Sequence, residues 1–400
     1  MTATATTFVA PRAIVGRSGM VLDDAAVSVV DDRIVWVGPA TALPERHGAR
    51  VVDLGACTIL PGLIDAHVHL GFDGSDDPVR HMVEADEDAH IDAMLRAART
   101  TVTAGVTTVR DLGGRHFLDV AARSAVEAGA IGPRMLLATR PLTPPDGHCW
   151  FMGGACTTVE SGRNAVRENA EAGSDVIKVM VTGGFMTPGH PPWAPQFEPS
   201  MLRAVVEESH RRGLPVAAHA HSASGVRVAV DAHVDTIEHC LWVAEEGLQY
   251  DAALVAEMAR RGTVVCPTVN LNARRPGRVS WAERSQHLRS MVAAGVRLIA
   301  GTDAGIDATP HGALAAGLDC LRDVGMEPLQ IIESATGSSA AALGLGGVTG
   351  GLAAGLSADL LVVEGDPTSD LLALEHPVLV LARGSVVTCD VRLELGLDVL

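Results

Sequence analysis

The chain has 400 residues, 47% of them apolar and 20% charged, with a formal net charge of −17; that balance describes a packed globule of one large domain with an appendage, or of two to three ordinary domains. Aromatic residues make up 3%, with a single tyrosine, and no run of Lys or Arg occurs, which disfavours stacking on nucleic acid and docking on an anionic membrane. Seven cysteines, scattered and never spaced CxxC, argue against a disulfide framework and a thiolate zinc site. The start Met1-Thr-Ala-Thr-Ala-Thr-Thr lacks the basic and apolar segments of a signal peptide, and no apolar run is long enough to cross a bilayer, so the expectation is a reduced cytoplasmic protein.

Taken in order, residues 8 to about 56 read as β structure, with a hairpin formed by 26–30 and 33–38 around an Asp31-Asp32 turn. From residue 60 short apolar strands alternate with longer Ala-, Arg- and Glu-rich segments of helical period. Strands are expected at 63–69, 106–111, 134–139, 175–182, 215–220, 234–239, 263–269 and 296–303. Helices are expected at 88–103, 116–128, 159–172, 200–212, 223–232, 250–261, 282–294 and 312–324, several followed by a capping glycine such as Gly105, Gly129, Gly173, Gly213, Gly262 or Gly295. Eight such units close a parallel barrel. A further helix near 328–342 precedes a glycine-rich linker, Gly344 to Gly355, and two more strands at 358–363 and 378–384. The fold expected is therefore an α/β protein: a (β/α)8 TIM barrel over 59–351, with a small discontinuous β-sandwich domain built from 1–58 and 352–400.

Chemistry collects at the ends of the barrel strands. In Ile64-Asp-Ala-His67-Val-His69 the two histidines lie two apart on an extended strand, so both imidazoles face one side and suit a divalent metal. Strand four, Asp175-Val-Ile-Lys178-Val-Met-Val-Thr182, carries a lysine in apolar surroundings that must be neutralised, paired or modified. Either it reaches water at the strand edge, or its amine has reacted with carbon dioxide to give a carbamate able to bridge two cations. Further on, Ala218-His219-Ala-His221, Ile237-Glu-His239 and Gly301-Thr-Asp303-Ala304 end three more strands. In a closed barrel these ends converge on one mouth, bringing His67, His69, Lys178, His219, His239 and Asp303 together.

These stretches, with Thr107-Thr-Val-Arg-Asp-Leu-Gly-Gly114 and Ser357-Ala-Asp-Leu360, resemble the amidohydrolase superfamily over nearly the whole chain, and within it the imidazolonepropionase-like group that includes prolidase-like Xaa-Pro, Xaa-Arg and Xaa-Lys dipeptidases and ochratoxin-type amidases. The resemblance implies two divalent metal ions, most often zinc: His67, His69 and Asp303 on the first, His219 and His239 on the second, and carbamylated Lys178 between them. It implies a shared hydroxide made nucleophilic near neutral pH, with Asp303 passing its proton to the leaving amine. His148 and His221 are candidates for hydrogen bonding the substrate carbonyl or carboxylate, with plain structural roles as the alternative, and His311 resembles a position that faces substrate. Manganese, cobalt or nickel would suit the same ligands.

Strand seven ends Cys266-Pro-Thr268-Val-Asn270, where related dipeptidases often place an aromatic hydroxyl; Asn270 takes that position here, and the only tyrosine, Tyr250, is expected in a helix. The loop Phe185 to Trp193, rich in Pro and apolar rings, is a candidate wall for a bulky or cyclic group. Arg110 and Asp111 are expected to pair with each other or with nearby backbone, and Cys240 and Cys266 have no base arranged for thiol chemistry. The activity expected is hydrolysis of a peptide or amide C–N bond in a small-molecule or peptide substrate, dipeptide-like or N-acyl amino acid. The alternatives are a biosynthetic amidohydrolase that trims a modified peptide of the bottromycin type or opens a cyclic amide, and a non-catalytic, metal-stabilised binding protein. Members of the group often assemble as homo-oligomers.

Overall fold

In the computed structural model, which describes residues 5–16, 19–44 and 50–390, both chain ends contribute to one sheet. The first four residues of the N-terminal stretch and the last ten of segment 352–400 lie outside the described residues. Strands β1 (Thr6–Ile14), β2 (Val21–Val30), β3 (Arg33–Pro39), β4 (Arg50–Asp53) and β5 (Cys57–Pro61) come from the start of the chain. The expected hairpin forms, with β2 antiparallel to β3 and Asp31 at φ 50° in the turn.

Eight parallel strands then build the barrel: β6 (Leu63–Val68), β7 (Val106–Asp111), β8 (Arg134–Leu137), β9 (Ile177–Met180), β10 (Val216–Ala220), β11 (Thr236–His239), β12 (Val264–Cys266) and β13 (Arg297–Leu298). All eight expected positions hold a strand; Val106–Asp111 keeps its expected bounds and the other seven are shortened at one or both ends. Continuous ladders run β6-β7-β8 and β9 through β13. The two gaps are closed by short bridges, Leu142 with Val179 and Val68 with Ala304, supported by Asp303 N–H to His67 O at 2.8 Å and His69 N–H to Ala304 O at 2.8 Å. Beyond Leu298 the chain leaves the regular ladder to make these bonds, which is why the last strand is short by hydrogen bonding yet still delivers Asp303 beside His67. The six glycines expected after helices all adopt positive φ, among them Gly173 at 99° and Gly262 at 72° as left-handed caps.

Two expected helices are broken. Segment 312–324 divides into an α-helix, Leu314–Leu318, and a 3-10 turn, Asp319–Val324. Segment 328–342 breaks between Pro328–Ser334 and Gly337–Ala342. At the second break the carbonyls of Ser334 and Ala335 accept from Ala300 and Ile64 at 2.9 and 2.7 Å, so backbone groups that would have continued the helix tie it to β6 and the end of the barrel. A helix the periodicity did not show, Pro78–Glu84, starts at Asp77, whose side chain accepts from Arg80 N–H.

The remaining strands, β14 (Leu360–Glu364), β15 (Pro377–Ala382) and β16 (Ser385–Cys389), complete the first sheet in the order β16-β15-β14-β5-β1-β2-β3, with β4 added against β1. Alternation explains why these strands read as unbroken apolar runs: Leu360 and Val362 join Phe8, Ile34 and Ile59 in a core belonging to this sheet, while Leu361 and Val363 face the barrel core. The glycine-rich segment before β14 is packed rather than loose, with Leu352 1% exposed and its N–H bonded to Val15 O at 2.8 Å. Among the described residues no helix is long and apolar enough to cross a membrane.

Candidate metal centre

Two triplets of ligating side chains meet at the C-terminal mouth of the barrel. His67, His69 and Asp303 form one; His219, His221 and His239 form the other, and within each the ligand atoms lie within 4.8 Å of one another. Asp303 Oδ1 stands 3.3 Å from His67 Nε2 and 3.2 Å from His69 Nε2. The rings of His219, His221 and His239 are 4.4 to 4.6 Å apart, and His239 lies 5.0 Å from His67, so the triplets share one space. Lys178, 1% exposed, pairs in register with Ala217, two residues before His219, which sets it one level deeper in the barrel. The mouth thus gathers all six positions singled out in the sequence. It adds His221 to the second triplet, where the sequence offered it as a substrate contact.

Outer partners determine which nitrogen each imidazole presents. Glu238 Oε2 accepts from His67 Nδ1 at 2.9 Å. Thr268 donates its one hydroxyl proton to Pro267 O at 2.7 Å and so accepts from His239 Nδ1 at 3.0 Å. Both arrangements leave Nε2 as the free lone pair. His219 is the reverse, with Nε2 donating to Gly183 O at 3.0 Å and Nδ1 left to ligate. The backbone is left-handed at His239 (φ 69°), Thr268 (φ 52°) and Asp303 (φ 64°). Such strained turns at strand ends collect where a fold must aim particular side chains.

Burial sets the electrostatics. It depresses the pKa of His219 and His239 well below the usual imidazole value, and takes His148 down to about 4 and His221 to about 3, so these rings are neutral and free to ligate or to donate a single N–H. Burial opposes ionisation of Asp303, yet His67, His69 and His239 around it hold its carboxyl well below the ordinary range. Burial also lowers the Lys178 amine, against the opposing pull of Glu238 and Asp303.

A divalent ion fits this donor set. Imidazole and carboxylate are its usual ligands, and His67 Nε2 and His221 Nδ1 are buried without a hydrogen-bond partner among the described residues, a costly state unless a metal or substrate uses them. A third cluster, His67, Glu238 and Cys266, does not suit a metal: Arg110 already neutralises Glu238, and burial pushes the Cys266 thiol well above its ordinary value. Burial raises the Cys240 thiol as well.

Arg110 and Asp111 do not pair with each other. Arg110 crosses the barrel to Glu238 at 2.9 Å and donates to Ala66 O at 2.7 Å, while Asp111 accepts from Leu70 and Gly113 N–H at 2.9 and 3.0 Å. Glu238 is a further site residue beyond those expected from the sequence; its signal there is an acid within the buried Thr236–His239 strand.

Around the mouth, His148 lies 4.8 Å from His219 with Nδ1 3.2 Å from Thr187 Oγ1. His311 Nε2 donates to Phe72 O at 2.8 Å, and the Phe72 ring sits 5.6 Å from His69. Asn270 turns its amide into the protein, donating to Thr302 O at 2.9 Å and accepting from Asn272 N–H at 3.0 Å. Tyr250 lies just before the helix Ala252–Arg261 and packs between Trp242 and His287. Phe185 is 56% exposed and stands edge-on to His221 at 5.1 Å, while Trp150, 48% exposed, adjoins Phe151.

The profile of the amidohydrolase family matches residues 58–388. Ochratoxinase of Aspergillus niger is 29% identical over 400 residues, covering 90% of this chain and 81% of its own. Imidazolonepropionase of Acidiphilium cryptum is 28% identical over 401 residues, covering 89% and 91%. The crystal structure of a Xaa-Pro dipeptidase with bound methionine in the active site superposes with a TM-score of 0.85 at 26% identity, covering 96% of this chain and 99% of that one. With that match running from the fifth strand of the end sheet, through every strand carrying the two triplets, to the last described strand, this chain belongs to the amidohydrolase family and is a metal-dependent hydrolase of carbon–nitrogen bonds.

Proposed function

We propose that the chain hydrolyses the amide bond of a dipeptide-like or N-acyl amino acid substrate carrying a bulky apolar group, using two divalent ions, zinc in the first instance. The observation that carries this reading is the pair of triplets 5.0 Å apart between His67 and His239, one with a carboxylate and one all imidazole. His67, His69 and Asp303 would hold one ion, and His219 and His239 with His221 beside them the other. Lys178 would carry the carbamate: it is buried one level below with its amine pKa lowered, and a neutral amine is the form that captures carbon dioxide. When bound, the two ions would acidify a water and polarise the scissile carbonyl.

The chain's own residues do the rest. Asp303, ionised, accepts the proton of the attacking water and returns it to the departing amine nitrogen. His148 and His221, neutral at working pH, steady the carbonyl oxygen or the substrate carboxylate by donating single N–H bonds. Asn270 holds the Thr302 carbonyl and thereby the strand end that carries Asp303, while His311 braces the Phe72 turn. Phe185 and Trp150, exposed at the rim in a chain with so few rings, offer an apolar face to the acyl side. A second reading, trimming of a modified peptide or opening of a cyclic amide, draws on Asn270 and on Tyr250 being occupied with Trp242 and His287, which leaves no tyrosine hydroxyl for a dipeptide carboxylate.

The test is metal analysis together with turnover on Xaa-Pro, Xaa-Arg, N-acyl amino acid and cyclic amide libraries. About two divalent ions per chain are expected, with Asp303→Asn lowering turnover by about 10²-fold or more while metal is retained. No metal under replete conditions, or unchanged turnover in Asp303→Asn, would refute the reading; no turnover on any amide with metal bound would leave the non-catalytic binding protein as the answer.

A further inference from the structure

Glu238 is completely buried, and both its oxygens are committed. Oε2 takes the His67 Nδ1 proton at 2.9 Å; Oε1 accepts from Arg110 Nη2 at 2.9 Å and from Thr236 Oγ1 at 2.6 Å. Arg110, 2% exposed, is held in turn by Ala66 O at 2.7 Å through Nε and by Thr236 Oγ1 at 2.9 Å through Nη1. The result is a fixed line across the barrel floor, from β7 through β11 to β6, ending on His67, whose buried Nε2 faces Asp303 Oδ1 at 3.3 Å and has no hydrogen-bond partner among the described residues. We propose that Glu238, anchored by Arg110, is a positioning residue that keeps the His67 proton on Nδ1 and aims the Nε2 lone pair into the first triplet.

This inference rests on the metal reading above and adds a requirement that a merely stabilising ion pair lacks, namely a single tautomer. A carboxylate offers only acceptors, so Nδ1 must be the protonated nitrogen. Glutamine in its place cannot do the same. Its amide oxygen is drawn to the Arg110 and Thr236 donors, which turns its NH2 towards Nδ1, and the imidazole then carries its proton on Nε2, where it blocks ligation. The arginine is hard to replace by lysine, because its planar guanidinium serves three different acceptors at once, Glu238 Oε1, Thr236 Oγ1 and Ala66 O.

The buried anchor borders an open cavity. A cavity of about 660 Å³ opens at the opposite end of the barrel, and Arg110 forms part of its wall with Leu136, Asp175, Val176, Asp235 and Thr236. Removing the arginine side chain would enlarge that cavity into a slot shaped for a free guanidinium ion.

The experiment uses the full-length protein, Glu238→Gln, Arg110→Ala and Arg110→Lys. Chelator competition is expected to show one site weakened about 10- to 100-fold in Glu238→Gln and Arg110→Ala, with the absorption of the cobalt-loaded protein altered. Millimolar guanidinium should restore affinity in Arg110→Ala and leave Glu238→Gln unchanged, and Arg110→Lys should restore little. Nitrogen NMR of the metal-free chain should report His67 as the Nδ1–H tautomer in the parent and as Nε2–H in Glu238→Gln. Wild-type affinity within twofold in Glu238→Gln with only a lower thermal midpoint, or an unchanged His67 tautomer, would overturn the proposal; should Glu238→Gln not fold, absence of guanidinium rescue in Arg110→Ala would do so. A parent protein that binds no metal yet shows the tautomer change would sink the metal reading and leave the positioning role standing.

Discussion

Asp119 offers a sharp test of how burial governs this molecule's response to pH. Its side chain, wholly buried, accepts at Oδ1 from Val120 N–H at 3.1 Å, while Oδ2 has no partner among the described residues. Burial, with the Asp111 charge adding to it, raises its carboxyl from 3.8 to about 7. A carboxyl with a raised native pKa contributes stability that is fully present below the unfolded value and lost as pH climbs through the native one. At about 1.4 kcal/mol per pH unit the whole interval corresponds to about 4 kcal/mol, of which about 3 kcal/mol falls between pH 5 and pH 7. Asp119→Asn removes the ionisation and leaves one amide group poorly bonded, at about 1 to 3 kcal/mol. The variant should therefore lie close to the parent at pH 5 and exceed it at pH 8.5, crossing over between about pH 4.5 and pH 6. Apparent thermal midpoints at one scan rate, with urea unfolding alongside, would measure this. A difference between variant and parent that does not change from pH 5 to pH 8.5 would refute the reasoning.

His90 responds in the opposite direction. Buried in the helix Glu87–Thr103 with Nε2 unpartnered among the described residues, it has its pKa lowered by burial to about 4, so its contribution holds above about 6.5 and is lost as pH falls towards 4; His90→Leu should abolish up to about 3 kcal/mol of acid sensitivity in the same melts. At Gly184 an added Cβ would lie 2.3 Å from His148 Nε2, so Gly184→Ala should displace that ring and lower kcat/KM about tenfold or more with metal content unchanged; parent-like kinetics would remove His148 from the reaction. Lys178→Ala should reduce bound metal from about two ions to about one and cut turnover sharply, with partial recovery from added short-chain carboxylates that can occupy the bridging position. Full metal occupancy in that variant would end the bridging role.

The barrel was legible because its rules are local. Period-two apolar runs, a glycine after each helix and His-x-His on one strand each depend on a few neighbouring residues, and a barrel converts the order of strands into convergence of their ends. What the sequence concealed is non-local or ambiguous by symmetry. Arg110 and Glu238 meet across 128 residues, and nothing adjacent to either names the other, so of the expected partners of Arg110 and Asp111 the backbone ones are found while Glu238 is not foreseen. His219 and His221 share a strand face, hence the alternation that exposed both could not tell ligand from substrate contact. Asn270 stands after Pro-Thr, where related dipeptidases place an aromatic hydroxyl and a substrate contact is expected, but its amide is satisfied by Thr302 and Asn272, an outcome set by the path of the following loop. The split of 328–342 has a similar origin, in carbonyls that β6 and the last strand compete for.

The division of labour around the barrel bears on where specificity can arise. The candidate ligands come from β6, β9, β10, β11 and the end of β13, whereas β7 and β12 supply braces, Arg110 for Glu238 and the Thr268 hydroxyl for His239. Those braces lie among groups buried to 6% exposure or less, so a change there alters the metal centre before it alters the substrate. The parts free to vary are the loops after β8 and β9, which carry Trp150, Phe151 and Phe185 to the rim and meet the centre through His148 and Phe185 and through the Gly183 carbonyl that holds His219. Exchanging Phe185 for a small residue should therefore raise KM for substrates with a bulky acyl group while leaving kcat for compact ones, and metal content, as they were. An equal loss for both substrate classes would place the ring in the scaffold and move the search for specificity to the loop after β12, where Asn270 stands.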